Sequence, residues 1–117
     1  MGSKIIEYNE LVRDKIPQLI KENGEIPVYF KHVNDIDFSI ELINKINIEL
    51  GQFLDVLHVD REKALEELGD VYQVFMELVK NQKFTMCEVE EQRLRTIEKR
   101  GGFDDRYYLV SVEKDEV

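Results

Sequence analysis

Apolar residues recur at steps of three, four or seven over three stretches of the chain. Ile36, Ile40, Ile43, Leu50, Leu54 and Leu57 predict an amphipathic helix from about residue 36 to about residue 58. A second helix is expected after Asp60, a favourable N-cap, with Ala64, Leu68, Val71, Tyr72, Phe75, Leu78 and Val79 as its apolar face. The third opens on Thr85-Met86-Cys87-Glu88, the spacing of a capping box, and stops at Arg100-Gly101-Gly102, where glycine can take the left-handed C-cap conformation. A shorter helix is predicted over Leu11 to Glu22, with Asn23-Gly24 as its stop. Pro27 to Val33 and Tyr107 to Val112 are rich in aromatic and β-branched residues and are expected to pair as a small β-ribbon beside a mainly α bundle.

With 117 residues, the chain fits a single domain over 1–117, and a hydrophobic fraction of 43% supports a folded globule. Met1-Gly2-Ser3 could be a cloning remnant and carries no structural weight. No apolar run approaches a membrane span, so no membrane partner is expected. A formal net charge of -9 argues against a nucleic-acid polymer as partner, because phosphate contacts need a basic stripe; phosphate binding would have to be local. Cys87 is the single cysteine, so no internal disulfide forms and the chain suits a reducing cytoplasm. Three amphipathic helices and a short ribbon leave apolar surface for a partner, and a homodimer or homotetramer is expected.

Two polar pairs change the picture. Glu49-Leu50-Gly51-Gln52 and Glu67-Leu68-Gly69-Asp70 each place two oxygen-bearing side chains at i,i+3 on one helix face. Antiparallel packing of the two helices would gather three carboxylates and one amide around one point, an arrangement suited to Mg²⁺ shared with substrate phosphates. With 35% charged residues, a solvated face is the ordinary reading of any one of these side chains. Two details favour a site. Asp70 lies at the edge of the apolar register, between Leu68 and Val71. Gly51 and Gly69 both stand mid-helix, each costing about 1 kcal/mol relative to alanine, which close helix approach or room for a ligand would offset.

The chain resembles the all-α NTP pyrophosphohydrolase superfamily, the MazG-like and phosphoribosyl-ATP pyrophosphohydrolase-like proteins, whose signature is EExxE followed a helix later by ExxD. Tyr8-Asn9-Glu10-Leu11-Val12-Arg13-Asp14-Lys15-Ile16-Pro17 is similar to the opening of one branch, and Glu98-Lys99-Arg100-Gly101-Gly102-Phe103 to its KRGGF segment. The resemblance implies an oligomeric helical bundle that uses Mg²⁺ to hydrolyse nucleoside triphosphates or related nucleotides to a monophosphate and pyrophosphate. It assigns the metal to Glu49, Gln52, Glu67 and Asp70, with Glu49 the catalytic candidate if the protein is active. The ExxD half is intact, but Ile48 and Gln52 replace two acids of EExxE.

Amide for carboxylate keeps an oxygen and deletes a charge, worth up to about 4 kcal/mol at 4 Å before desolvation, so metal affinity should fall. Gln52 also cannot accept a proton from an attacking water. Phosphate binding could survive through Arg13, Lys15, Arg95, Lys99 and Arg100, which concentrate positive charge in or near the flanking motifs. Lys99 and Arg100 could equally complement the end of their helix, and Arg13 could form a structural ion pair. Phe30, Tyr29, Phe103 and Tyr107 are available to wall a base, although each also suits the core; His32 and His58 lack metal-ligand spacing.

Three functions follow from these features. One is a nucleotide-binding protein that keeps the pocket and sequesters its ligand without efficient turnover, for example a phage immune-evasion sponge for a signalling nucleotide in the cytoplasm of a bacterial or phage-infected host cell. The second is a Mg²⁺-dependent nucleoside triphosphate pyrophosphohydrolase with a reduced metal site. The third is a helical dimerisation or regulatory module that retains only the fold.

Overall fold

The starts of the three longer helices in this chain are fixed by side chains that satisfy the free N–H groups of the first turn. The computed structural model describes residues 2–116 and contains four helices: α1 (Ile16–Glu22), α2 (Asp35–Val56), α3 (Arg61–Asn81) and α4 (Met86–Arg100). The Asn34 side chain accepts from the backbone N–H of Ile36 at 2.9 Å and of Asp37 at 3.1 Å. Asp60 accepts from the N–H of Lys63 at 3.1 Å. Thr85 and Glu88 form the reciprocal capping box, with Glu88 N–H donating to the Thr85 hydroxyl and Thr85 N–H to the Glu88 carboxylate, each at 3.1 Å.

The mainly α expectation holds, and three of its details change. α1 begins at Ile16 rather than Leu11, because Pro17 is tolerated only in the first turn of a helix. Gly101 does take a positive φ of 83°, but with ψ at -179° it is extended and not left-handed helical, a conformation close to glycine-only. No strand forms among the described residues, so the β-ribbon expected from 27–33 and 107–112 is absent. A lone two-stranded ribbon is marginal in water unless a hydrophobic face covers it.

The chain divides into two compact units, one reaching to Phe84 and the other starting at Thr85. In the first, the four-residue connection 57–60 folds α2 and α3 into an antiparallel hairpin. At the open end of the hairpin the Asn81 amide donates to the Asp35 carbonyl at 3.4 Å. The inner seam carries Leu42, Lys45, Glu49 and Phe53 from α2, and Ala64, Glu67, Val71 and Leu78 from α3. Charged side chains therefore occupy the middle of that seam.

The apolar stripes read from sequence lie largely elsewhere. Ile36, Ile40, Ile43, Leu50 and Leu54 are exposed, as are Leu68, Tyr72 and Phe75. Among the described residues only Leu42, Ala64 and Val79 are buried apolar positions. Tyr29, Phe30, Phe103 and Tyr107 are also exposed, against a core role for any of them. The hairpin thus uses one face of each helix for its own packing and leaves another apolar face unpartnered.

α3 ends in a Schellman turn, with the Lys83 N–H donating to the Lys80 carbonyl at 2.9 Å and the Phe84 N–H to the Val79 carbonyl at 3.1 Å. That turn needs a left-handed residue, and here it is Lys83 at φ 63° rather than glycine. No helix among the described residues is long and apolar enough to cross a membrane.

Candidate metal and phosphate centre

The two i,i+3 pairs converge as their spacing predicts. Glu49 on α2 and Glu67 and Asp70 on α3 each offer a carboxylate oxygen, and the three oxygens lie within 4.8 Å of one another. Glu49 is buried, whereas Glu67 and Asp70 are half-buried. An all-oxygen, anionic donor set of this kind fits a hard divalent cation.

Gln52, one turn beyond Glu49, sits between the two glutamates. With its amide nitrogen turned toward them it donates to Glu49 Oε2 at 3.0 Å and to Glu67 Oε2 at 3.1 Å. The opposite orientation sets the amide oxygen against the same carboxylates with no donor between them, so it is favourable only if a cation lies there. In the first orientation the amide expected to serve as a metal ligand is a donor that bridges the two glutamates.

The remaining charge is balanced from two directions. Lys45, one turn before Glu49, places Nζ 3.2 Å from Glu49 Oε1 and 3.8 Å from Glu10 Oε2. Its side chain is 17% exposed and that of Glu49 8%, which makes this a largely desolvated pair. Arg13 comes from the segment before α1, and its Nη2 donates to Asp70 Oδ1 at 2.6 Å. No buried polar side-chain atom among the described residues lacks a partner. All three carboxylates of the cluster are thus held by donors from the chain itself.

The crowding of negative charge shows in Glu67. Burial raises its carboxyl above the ordinary range, a hydrogen bond and charge repulsion from Glu49 raise it further, Asp70 adds to this, and Lys63 opposes it.

The other basic candidates are placed as follows. Lys15 occupies the N-cap position of α1 and makes no ion pair among the described residues. In the second unit, Arg95 faces Glu91 on its own helix at 3.8 Å, and Lys99 and Arg100 stand in the last turn of α4, where cations complement the helix dipole. Beyond that turn the chain curls around an open cleft of about 520 Å³ lined by Arg100, Phe103, Arg106 and Tyr107, with Asp104 and Asp105 also on its wall. His32 packs edge-on to Phe30, with ring centroids 4.9 Å apart, and belongs to no metal-ligating group among the described residues.

Gly51 and Gly69 are not explained by contact between α2 and α3. A Cβ built at either would meet nothing within 4 Å, so the close approach within the hairpin that their positions suggested does not occur. Lys45 was missed in the sequence, although its i,i+4 spacing to Glu49 was the available signal. Compared with known proteins, the chain matches no family model, no curated protein and no solved structure.

Proposed function

We propose that this protein binds a phosphorylated nucleotide together with a divalent cation and holds it without efficient turnover. The observation that carries this reading is the position of Gln52. A neutral amide lies between Glu49 and Glu67, within hydrogen-bond distance of both, where a carboxylate would strengthen metal binding and help activate water. The nucleotide as ligand rests on the sequence resemblance to MazG-like proteins, while the donor set supports a cation and phosphate in general.

Glu49, Glu67 and Asp70 would hold Mg²⁺, with the Gln52 amide turned to offer its oxygen, and the ion would supply positive charge against the ligand's phosphates. Arg13 is the exchangeable member. Its guanidinium pairs with Asp70 in the free protein, and a phosphate competes for the same donors. Moving Arg13 to phosphate leaves Asp70 available to the cation, so each ligand favours the other. In the second unit, Arg100 beside the exposed rings of Phe103 and Tyr107 offers a charge and an aromatic wall of the kind a nucleotide uses.

One observation favours a second reading, a Mg²⁺-dependent pyrophosphohydrolase. Glu67, with its raised proton affinity, could take the proton of a water that adds to phosphorus as the phosphoanhydride bond breaks, releasing monophosphate and pyrophosphate. On that reading the base is Glu67 and not Glu49, whose carboxylate is paired with Lys45.

Incubation with a nucleotide panel and Mg²⁺, followed by chromatography of the filtrate and of the heat-denatured mixture, separates the two. A nucleotide that leaves the filtrate and returns unchanged on heating supports capture. Monophosphate and pyrophosphate in both fractions support hydrolysis, and a filtrate that loses nothing removes both readings.

A further inference from the structure

We infer that Glu10 and Lys45 anchor the leading segment across the acidic cluster, so that Arg13 stays over the cluster when a cation draws Asp70 away from it. The anchor is a property of the free protein, and its use with a ligand rests on the proposed function.

Glu10 and Arg13 lie in the stretch before α1, outside any helix, and they reach different helices. Glu10 pairs with Lys45 on α2, and Arg13 with Asp70 on α3. Three steps of extended chain span about 10 Å, close to the ~8–10 Å between the axes of packed helices. The segment is thus long enough to bridge the seam beside Glu49 and Asp70. Asn9 turns the chain into this crossing with a left-handed φ of 51°, which asparagine tolerates better than most residues.

Little else fastens the segment. Ile5, Ile6, Tyr8 and Val12 are exposed, Leu11 is half-buried, and α1 does not pack on the hairpin helices. Among the described residues, no other side-chain hydrogen bond or ion pair joins residues 2–15 to α2 or α3.

The two ties differ in their contact with water. Side-chain exposure is 24% for Glu10 and 17% for Lys45, against 62% for Arg13 and 38% for Asp70. Separating a desolvated pair leaves uncompensated charge, whereas an exposed pair exchanges readily with water and other ions. Arg13 is therefore the end that lets go. Its contact is the shorter, at 2.6 Å against 3.8 Å, but Lys45 is shared and lies 3.2 Å from Glu49. A cation on Glu49 takes that carboxylate and repels the ammonium, and the flexible lysine stem lets it move onto Glu10. Cation binding then tightens the Glu10 end while it frees the Arg13 end. A guanidinium released so close to a fixed point keeps a high effective concentration over the site.

Order parameters from nitrogen relaxation of the full, metal-free chain test the anchor. Residues 10–13 should match the hairpin at about 0.85 in the parent protein and fall below about 0.6 in Glu10→Gln, with α2 and α3 unchanged as the control for folding. Arg13→Met should leave Glu10 and Leu11 ordered. Titration with Mg²⁺ adds a difference in sign that a merely structural strap does not predict. Glu10→Gln should bind Mg²⁺ about threefold more weakly, because Lys45 has lost the carboxylate that receives it, whereas Arg13→Met should bind it more tightly. A segment that keeps its order in Glu10→Gln overturns the inference, as does one that loses order equally in Arg13→Met, or a Mg²⁺ affinity that is unchanged or higher in Glu10→Gln. If no form of the protein binds Mg²⁺, the proposed function fails, while the order parameters still decide the anchor.

Discussion

Arg13 and Asp70 are 57 positions apart in sequence, yet the guanidinium donates to the carboxylate at 2.6 Å. On the proposed function, the pair sets the group that would bind phosphate against one that would bind the cation. Their exposures, 62% and 38% at the side chains, keep the pair in contact with water, so its worth to stability is at most about 1 kcal/mol.

Arg13→Met should therefore separate the two ligands. Asp70 loses its competitor, so affinity for Mg²⁺ alone should rise a few-fold, while affinity for pyrophosphate or a nucleoside triphosphate in the presence of Mg²⁺ should fall about tenfold, or ~1.4 kcal/mol. Isothermal titration of each ligand alone and together checks both directions. A parallel loss of Mg²⁺ binding would mean that Arg13 supports the cluster and does not compete with the cation.

Gln52→Glu replaces a donor that bridges Glu49 and Glu67 with a fourth carboxylate. The metal-free protein should lose about 1–3 kcal/mol, since two hydrogen bonds are replaced by like-charge contacts. Mg²⁺ should restore that loss and bind at least tenfold more tightly than to the parent protein. Thermal melts with and without Mg²⁺ show this as a lower midpoint that recovers on titration; a variant whose midpoint ignores Mg²⁺ would place position 52 away from the cation. Turnover of nucleoside triphosphates should rise in the same variant.

Glu67 gives the metal-free protein a pH dependence of defined sign. Because its folded pKa lies above the ordinary carboxyl value, the folded state binds the proton more tightly than the unfolded state. The resulting stabilisation is fully present below the unfolded value near 4.5 and is lost as pH rises through the raised folded value. Glu67→Gln should flatten that decline in denaturant midpoints measured across the same range. Binding of Mg²⁺ in that window should release protons, which calorimetry in buffers of different ionisation enthalpy detects.

Lys83→Gly should raise stability by about 1 kcal/mol. Lys83 holds the left-handed position of the Schellman turn at φ 63°, where a side chain is costly and glycine is not. The gain should appear in urea midpoints without a change in m-value.

The sequence made the helices legible where their signals were local. Asp60 and the Thr85/Glu88 box cap α3 and α4 as their spacing predicts, because each cap involves residues within one turn. The grouping of Glu49, Glu67 and Asp70 was also readable, since i,i+3 spacing and a short connection nearly determine it. What closes the cluster was not. The Arg13–Asp70 pair depends on how the leading segment returns to the hairpin, and the bridging role of Gln52 depends on which end of a symmetric-looking amide turns inward. Periodicity likewise showed that Ile36, Ile40 and Ile43 share a face but not whether that face meets the same chain or another.

The four-residue link between α2 and α3 lets the hairpin zip outward from its closed end, each contact closing a small further loop, whereas Arg13 can reach Asp70 only after a separate long segment has been brought back. Loop-closure entropy therefore delays the second event relative to the first. The ion pair becomes a completion signal: its carboxylate side is built early and its guanidinium side arrives last. In stopped-flow refolding, a fluorophore near residue 13 should lag helix formation followed by circular dichroism; simultaneous traces would mean that the leading segment docks as the hairpin forms.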